Sequence, residues 1–295
     1  MAPFFVDIDF IEYLRFEKRY SQHTLDAYQR DIEQFFSFLG LSNSEASKVH
    51  SRDVRSWIVE LSDNTIKSAS INRKISSLRT YFNWLRKEGV IEQSPLRTIK
   101  GPKQQKRLPV FAKQTDLQVE RLSLVFSDDF EGVRDQLMFE LLYQTGMRLS
   151  ELIELKVESI SSSAAKVFGK RRKERIIPLS QDLLELIDTY LAKRAALDLK
   201  SEFLLVRESG EKLYPTFVYR RINKYLTQAT DLEKRSPHVL RHTFATHMLN
   251  NGAGLEVIKE LLGHASLAAT QVYTHNSFAE LTKVYSRSHP RGSKK

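Results

Sequence analysis

The sequence contains no cysteine, which excludes disulfide staples and thiolate metal sites. No apolar run approaches the roughly 20 residues that span a bilayer, and the opening residues lack the basic, apolar and small-residue regions of an export signal. A cytoplasmic protein is therefore expected. Three signatures of phosphate and metal chemistry are also missing: a G-x-x-x-x-G-K-[ST] loop, an H-E-x-x-H helix, and a carboxylate cluster suited to Mg²⁺. Neither a metal nor a nucleotide cofactor is expected. No internal repeat or low-complexity tract interrupts the 295 residues, a length that favours two domains.

What is abundant is positive charge. Forty-six Lys and Arg against 36 Asp and Glu leave a formal net charge of +10, which on a soluble chain suggests a polyanion, with nucleic acid the leading candidate. The alternative that charge alone leaves open is a merely well-solvated surface.

The first hundred residues read as helices. Ser21 caps a stretch in which Leu25, Tyr28, Ile32, Phe35, Phe36 and Leu39 recur at helical spacing. Ser51 precedes a shorter helix carrying Val54, Trp57, Ile58 and Leu61, and a longer one follows around Ile71, Ile75, Leu78, Phe82 and Leu85. Its Arg73, Lys74, Arg79 and Arg86 lie largely off that stripe, as a solvated face or a DNA-facing one. From Pro95 to Pro109, PLRTIKGPKQQKRLP combines three prolines, a glycine and a run of basic residues, including Lys100 and Lys103, and reads as a cationic linker. The division expected is 1–94, a linker over 95–112, and 113–295.

Beyond the linker, RDQLMFELLYQ forms a helix stopped by Gly146. Lys166–Phe168 and Arg175–Leu179 read as a strand pair, and helices follow near 182–194, 217–228, 237–250, 255–262 and 267–273. The fold class expected is mainly α with a small β-hairpin.

Four segments place unusual polar residues at element ends. In TGMRLSELIEL, Arg148 follows the Gly146 stop and Glu151 lies one turn on; alone, this is a capping or ion-paired arginine. In SPHVLRHTFATHML, Ser236 and Pro237 open a helix whose His238 and Arg241 are three apart, and cations there oppose the helix dipole unless an anion binds. In LLGHASLAATQVYTH, His264 follows the Gly263 stop and Tyr273 closes the segment; each alone is an ordinary structural residue. The hairpin turn GKRRKE carries Lys170, a solvated charge or a lysine presented to a phosphate backbone. Together they supply a nucleophile, fixed positive charge and a proton donor, the inventory of phosphodiester cleavage through a covalent intermediate. Arginine suits the clamp because its planar fork bonds two phosphate oxygens and stays charged.

In order and approximate spacing, TGMRLSEL, HVLRHTFATHML, LLGHASLAATQVYTH and the GK hairpin resemble the tyrosine recombinase family. The segments HTLDAYQRDIEQFFSFL and YTHNSFAELTKVYSRSHPRGSKK resemble its Xer branch, so the likeness covers nearly the whole chain. It implies a helical, SAM-like core-binding domain joined to an α-rich catalytic domain, closing on duplex DNA. It also implies that Arg148 and Arg241 clamp the scissile phosphate, Lys170 protonates the departing 5′ oxygen, and Tyr273 forms a 3′-phosphotyrosyl bond. His238 and His264 would assist, Glu151 would support the pocket, and His242 and His247 would stay outside it. Candidate DNA contacts are Arg73, Lys74, Lys100, Lys103, Arg220 and Arg221. One departure is Arg171, where the family hairpin often has a second glycine; Lys173 is the alternative acid.

The resemblance further implies a homo- or hetero-tetramer that exchanges strands through a Holliday junction to resolve chromosome or plasmid dimers, with a DNA translocase as a further partner. The apolar stripe Phe278, Leu281, Val284 and Tyr285 would dock on a neighbouring protomer. A mobile-element integrase shares the chemistry, a type IB topoisomerase shares the nucleophile, and a DNA-binding protein with an idle pocket shares only the charge.

Overall fold

A computed structural model of the chain describes residues 8–104, 110–118, 122, 124–168, 174–263 and 275–292. It is mainly α-helical with a two-stranded antiparallel sheet, and its contacts separate Met1–Arg107 from Leu108–Lys295.

The N-terminal unit holds α1 (Ile8–Glu12, continued by a π-turn to Glu17), α2 (Gln22–Leu39), α3 (Ser51–Asp63) and α4 (Ser68–Lys87). Ser21 precedes α2 in extended conformation, and Gly40, at φ 65°, ends it by donating its N–H back to Phe36 and Ser37. The stripes expected on α2 and α4 meet in the core, where Phe35, Phe36, Leu78, Tyr81 and Phe82 are fully buried and Phe35 meets Trp57 edge-on at 5.1 Å. The helix at 8–12 was not expected; one turn is too short to show periodicity, yet its Phe10 is fully buried.

The stretch expected to be a linker over 95–112 is packed at both of its ends. Leu96 and Ile99 are buried in the N-terminal core, Ser51 Oγ donates to the Pro95 carbonyl at 2.7 Å, and Asn72 Nδ2 donates to the Pro102 carbonyl at 2.9 Å. Two well-spaced apolar anchors fix this stretch despite its linker-like composition. Ala112 is fully buried in the C-terminal core, its N–H held by Thr243 Oγ1 at 3.0 Å.

The C-terminal unit is built around α5 (Phe130–Thr145), buried on nearly every side. Asp129 caps it, accepting from the Gly132 N–H at 2.7 Å. Around it lie α6 (Leu149–Glu154), the hairpin β1 (Ala164–Phe168) and β2 (Glu174–Pro178), α7 (Gln181–Ala196), α8 (Pro215–Ala229), α9 (Pro237–Asn250), α10 (Leu255–Leu262) and α11 (His275–Ser288). The strands pair from Ala164↔Pro178 to Phe168↔Glu174. No helix among the described residues is long and apolar enough to cross a membrane.

The C-terminal stripe packs in part on its own unit. Leu281 and Tyr285 are buried in their own unit with Val284 packed beside them, and Arg291 anchors the end through Glu140 and, at 2.6 Å, the Leu117 carbonyl. Periodicity marks a face to be covered; it does not say which chain covers it.

Candidate active site

The site begins where α5 ends. Gly146 sits at φ 60°, and a Cβ there would lie 2.5 Å from Phe244 Cδ1, so both backbone and packing require glycine. The turn delivers Arg148 to the N-cap of α6. Its N–H donates to Glu151 Oε2 at 2.7 Å, its Nη1 to Glu151 Oε1 at 2.7 Å, and its Nη2 to the Gly263 carbonyl at 3.0 Å. Glu151 thus supports Arg148 one helical turn away.

Glu151 is held from the other side by Arg175, a residue that sequence reasoning left among the charges of the hairpin. Arg175 is 4% exposed; its Nη1 and Nη2 grip the two Glu151 oxygens at 2.8 and 2.7 Å, and its Nε donates to the Leu261 carbonyl at 2.9 Å. The one available signal was an arginine in a strand followed by Ile176 and Ile177, facing inward where a solvated charge would not. With three charge-assisted bonds and almost no exposure, Arg175 is a positioning residue.

Arg241 completes the cluster from the second turn of α9. Its Nη1 donates to the Gly146 carbonyl and its Nη2, at 2.8 Å, to the Leu262 carbonyl. No carboxylate grips it among the described residues. Burial, then the charges of Arg148 and Arg175, lower its pKa to about 10 against the opposing pull of Glu151; it remains cationic at neutral pH. Burial raises the Glu151 pKa, but hydrogen bonds and charge from Arg175 and then Arg148 outweigh it and hold the carboxyl at about 2. Three guanidinium groups thus surround one carboxylate, and Arg148 and Arg241 retain unused N–H donors, since each has five. Such a surplus of half-buried positive charge favours an anion with several acceptor oxygens.

His238 is exposed at the start of α9, one turn before Arg241. Lys170, His264 and Tyr273 lie outside the described residues; for the first two, a described residue nearby in the chain belongs to the cluster. Arg175 is the second residue of β2, five positions after Lys170 in the sequence, and Gly263, whose carbonyl accepts from Arg148, immediately precedes His264. His247 is structural: its Nε2 donates to the Ala112 carbonyl at 2.9 Å and its Nδ1 accepts from the Tyr143 hydroxyl at 3.0 Å. His242 is half-buried near Phe111.

The candidate DNA contacts divide. Lys74 is buried, with Nζ on Asp31 at 3.1 Å and on Gln34, while Arg73 forks onto the same Asp31 carboxylate with half of its side chain exposed. Arg221 is bound to buried Asp135. Both members of the first doublet therefore direct their charge to Asp31, whereas neighbours on a helix point about 100° apart and in the second doublet only Arg221 turns toward a buried acid. Arg220, Lys100 and Lys103 are exposed.

Two family models cover most of the chain: the phage integrase family at residues 115–280 and the phage integrase N-terminal SAM-like domain at 8–89. A tyrosine recombinase XerC of Thermodesulfovibrio yellowstonii is 38% identical, the match covering 96% of this chain and 95% of its relative. The chain belongs to the phage integrase family. It is a Xer-type tyrosine recombinase, and so a DNA strand-exchange enzyme. The XerC of Bacillus subtilis is 36% identical, with 97% of this chain and 96% of that one covered. In fold, the recombinase resembles XerH site-specific recombinase bound to palindromic difH substrate in a post-cleavage complex, with TM-score 0.71, 21% identity, and 94% of this chain and 82% of that one covered. It also resembles a lambda integrase tetramer bound to a Holliday junction, with TM-score 0.66, 20% identity, and 90% and 79% covered.

Proposed function

We propose that the chain cuts and rejoins duplex DNA at a defined site, with Arg148 and Arg241 holding the scissile phosphate. The supporting observation is the guanidinium cluster itself: two arginines with unused donors, positioned by a carboxylate and backbone carbonyls, with a surplus of charge that a phosphodiester neutralises. Tyr273 Oη attacks phosphorus, the bond to the 5′ oxygen breaks, and Lys170 gives that oxygen its proton. His238 and His264 stabilise charge and move the tyrosine proton. The 5′ hydroxyl of the partner strand then attacks the phosphotyrosyl bond and releases Tyr273. Because that bond conserves the energy of the phosphodiester, the exchange runs without ATP or metal.

Resemblance to the Xer branch supports a cytoplasmic tetramer, of one or two kinds of subunit, that resolves chromosome dimers through a Holliday junction with a DNA translocase as activator. Lys100, Lys103 and Arg220 meet the DNA backbone. The test is to incubate the protein with fragmented DNA from its source in EDTA and without nucleotide, trap covalent adducts by denaturation, and sequence the attached fragments. Adducts at one pseudo-palindromic site, absent in Tyr273→Phe, support the proposal. Adducts without sequence preference point to a topoisomerase, and binding without adducts to a non-catalytic protein.

A further inference from the structure

We infer that a pocket in the N-terminal unit holds one phosphodiester of the DNA backbone through Arg79, Arg86 and Arg97. This deepens the DNA-binding reading and rests on it. Arg79, Asn83 and Arg86 follow at i, i+4 and i+7 and share one face of α4, where they line a concavity of about 320 Å³ together with Glu92, Ser94 and Arg97 from the turn that follows. That turn is fixed: Leu96 and Ile99 are buried in the core, Ser51 holds the Pro95 carbonyl, and Ser94 Oγ accepts from the Leu96 N–H at 3.3 Å. Arg79 Nη2 donates to the Ile99 carbonyl at 3.0 Å, tying the helix to the turn and orienting its guanidinium.

The electrostatic contrast with the start of α4 decides the assignment. Arg73 and Lys74 share the buried carboxylate of Asp31, whereas Arg79, Arg86 and Arg97 enter no ion pair among the described residues. Glu92, exposed at the rim, is the one carboxylate of the pocket, leaving a net charge of +2. An exposed carboxylate near exposed arginines contributes little pairing energy, so a phosphate outcompetes it. Arginine forks and a serine and an asparagine side chain match the oxygens of a backbone phosphate and carry no base information.

The test measures affinity of the full chain for a duplex bearing its recombination site between 50 and 200 mM salt. Removing one phosphate contact lowers the slope of log K against log salt by about 0.9. Arg86→Ala/Arg97→Ala, both exposed positions, is expected to lose about that much slope while Arg86→Lys/Arg97→Lys retains it, and Arg73→Ala is expected to keep the full slope. An unchanged slope in the alanine pair overturns the pocket while leaving DNA binding intact, as does a loss confined to Arg73→Ala. A wild-type chain that binds no duplex overturns the DNA-binding reading and the pocket with it.

Discussion

Replacing Arg175 with alanine removes the guanidinium that grips both oxygens of Glu151. The two side chains are 5% and 3% exposed, so the pair is shielded from water and its loss leaves a buried carboxylate short of partners. Removing one member of a buried pair costs about 3–5 kcal/mol, and the lower end applies because Glu151 keeps the Arg148 N–H and Nη1. For a unit the size of Leu108–Lys295, about 3 kcal/mol lowers the melting temperature by about 6–12 °C. Both tryptophans, Trp57 and Trp84, lie in the N-terminal unit, so their fluorescence follows that unit while far-UV circular dichroism follows both. The shift is expected in the dichroism transition of the C-terminal unit. A shift below about 2 °C would refute the reasoning, because a pair this buried cannot be lost so cheaply.

Gly146→Ala must place a Cβ against Phe244 at positive φ, costing about 2 kcal/mol or more; since the Gly146 carbonyl holds Arg241, single-turnover cleavage is expected to fall at least about tenfold. Tyr143→Phe loses the hydroxyl bond to His247, a cost of about 1 kcal/mol in a denaturant titration, yet is expected to keep adduct formation because that hydroxyl bonds the structural His247 and none of the clustered arginines. Burial lowers the pKa of His289 to about 3 and also that of His247 below 6.5. The unfolded chain therefore takes up more protons below 6.5, so stability is full above that pH and declines as pH falls from 6.5 toward 3. His289→Phe is expected to flatten the decline in melting temperature over that window.

The clustering of Arg148, Glu151 and Arg241 was legible because helix stops and starts advertise themselves: Gly146 before the first two, Ser236 and Pro237 before the third. Local rules place such residues, and the chemistry of phosphate joins them. Arg175 escaped because its partners are 24 and 86 positions away and a strand of five residues gives no hint of them. The same distance hid Asp31 behind Arg73 and Lys74, and Asp135 behind Arg221. Composition speaks for a linker over 95–112 through its prolines and lysines, and does not weigh Leu96 and Ile99, which are buried in the N-terminal core. The apolar stripe of α11 was legible as a face to be covered, but which surface covers it is a tertiary or quaternary property; in the single chain Leu281, Val284 and Tyr285 pack on their own unit.

The most direct measurement is the identity of the residue that carries the DNA. A trapped adduct is digested with nuclease and protease and its peptides are examined by mass spectrometry. Phosphodiester cleavage at the arginine cluster predicts one modified peptide, with the nucleotide on Tyr273, lost in both Arg148→Ala and Arg241→Ala variants that still bind DNA. A nucleotide on any other residue, or an undiminished yield without either arginine, would contradict it.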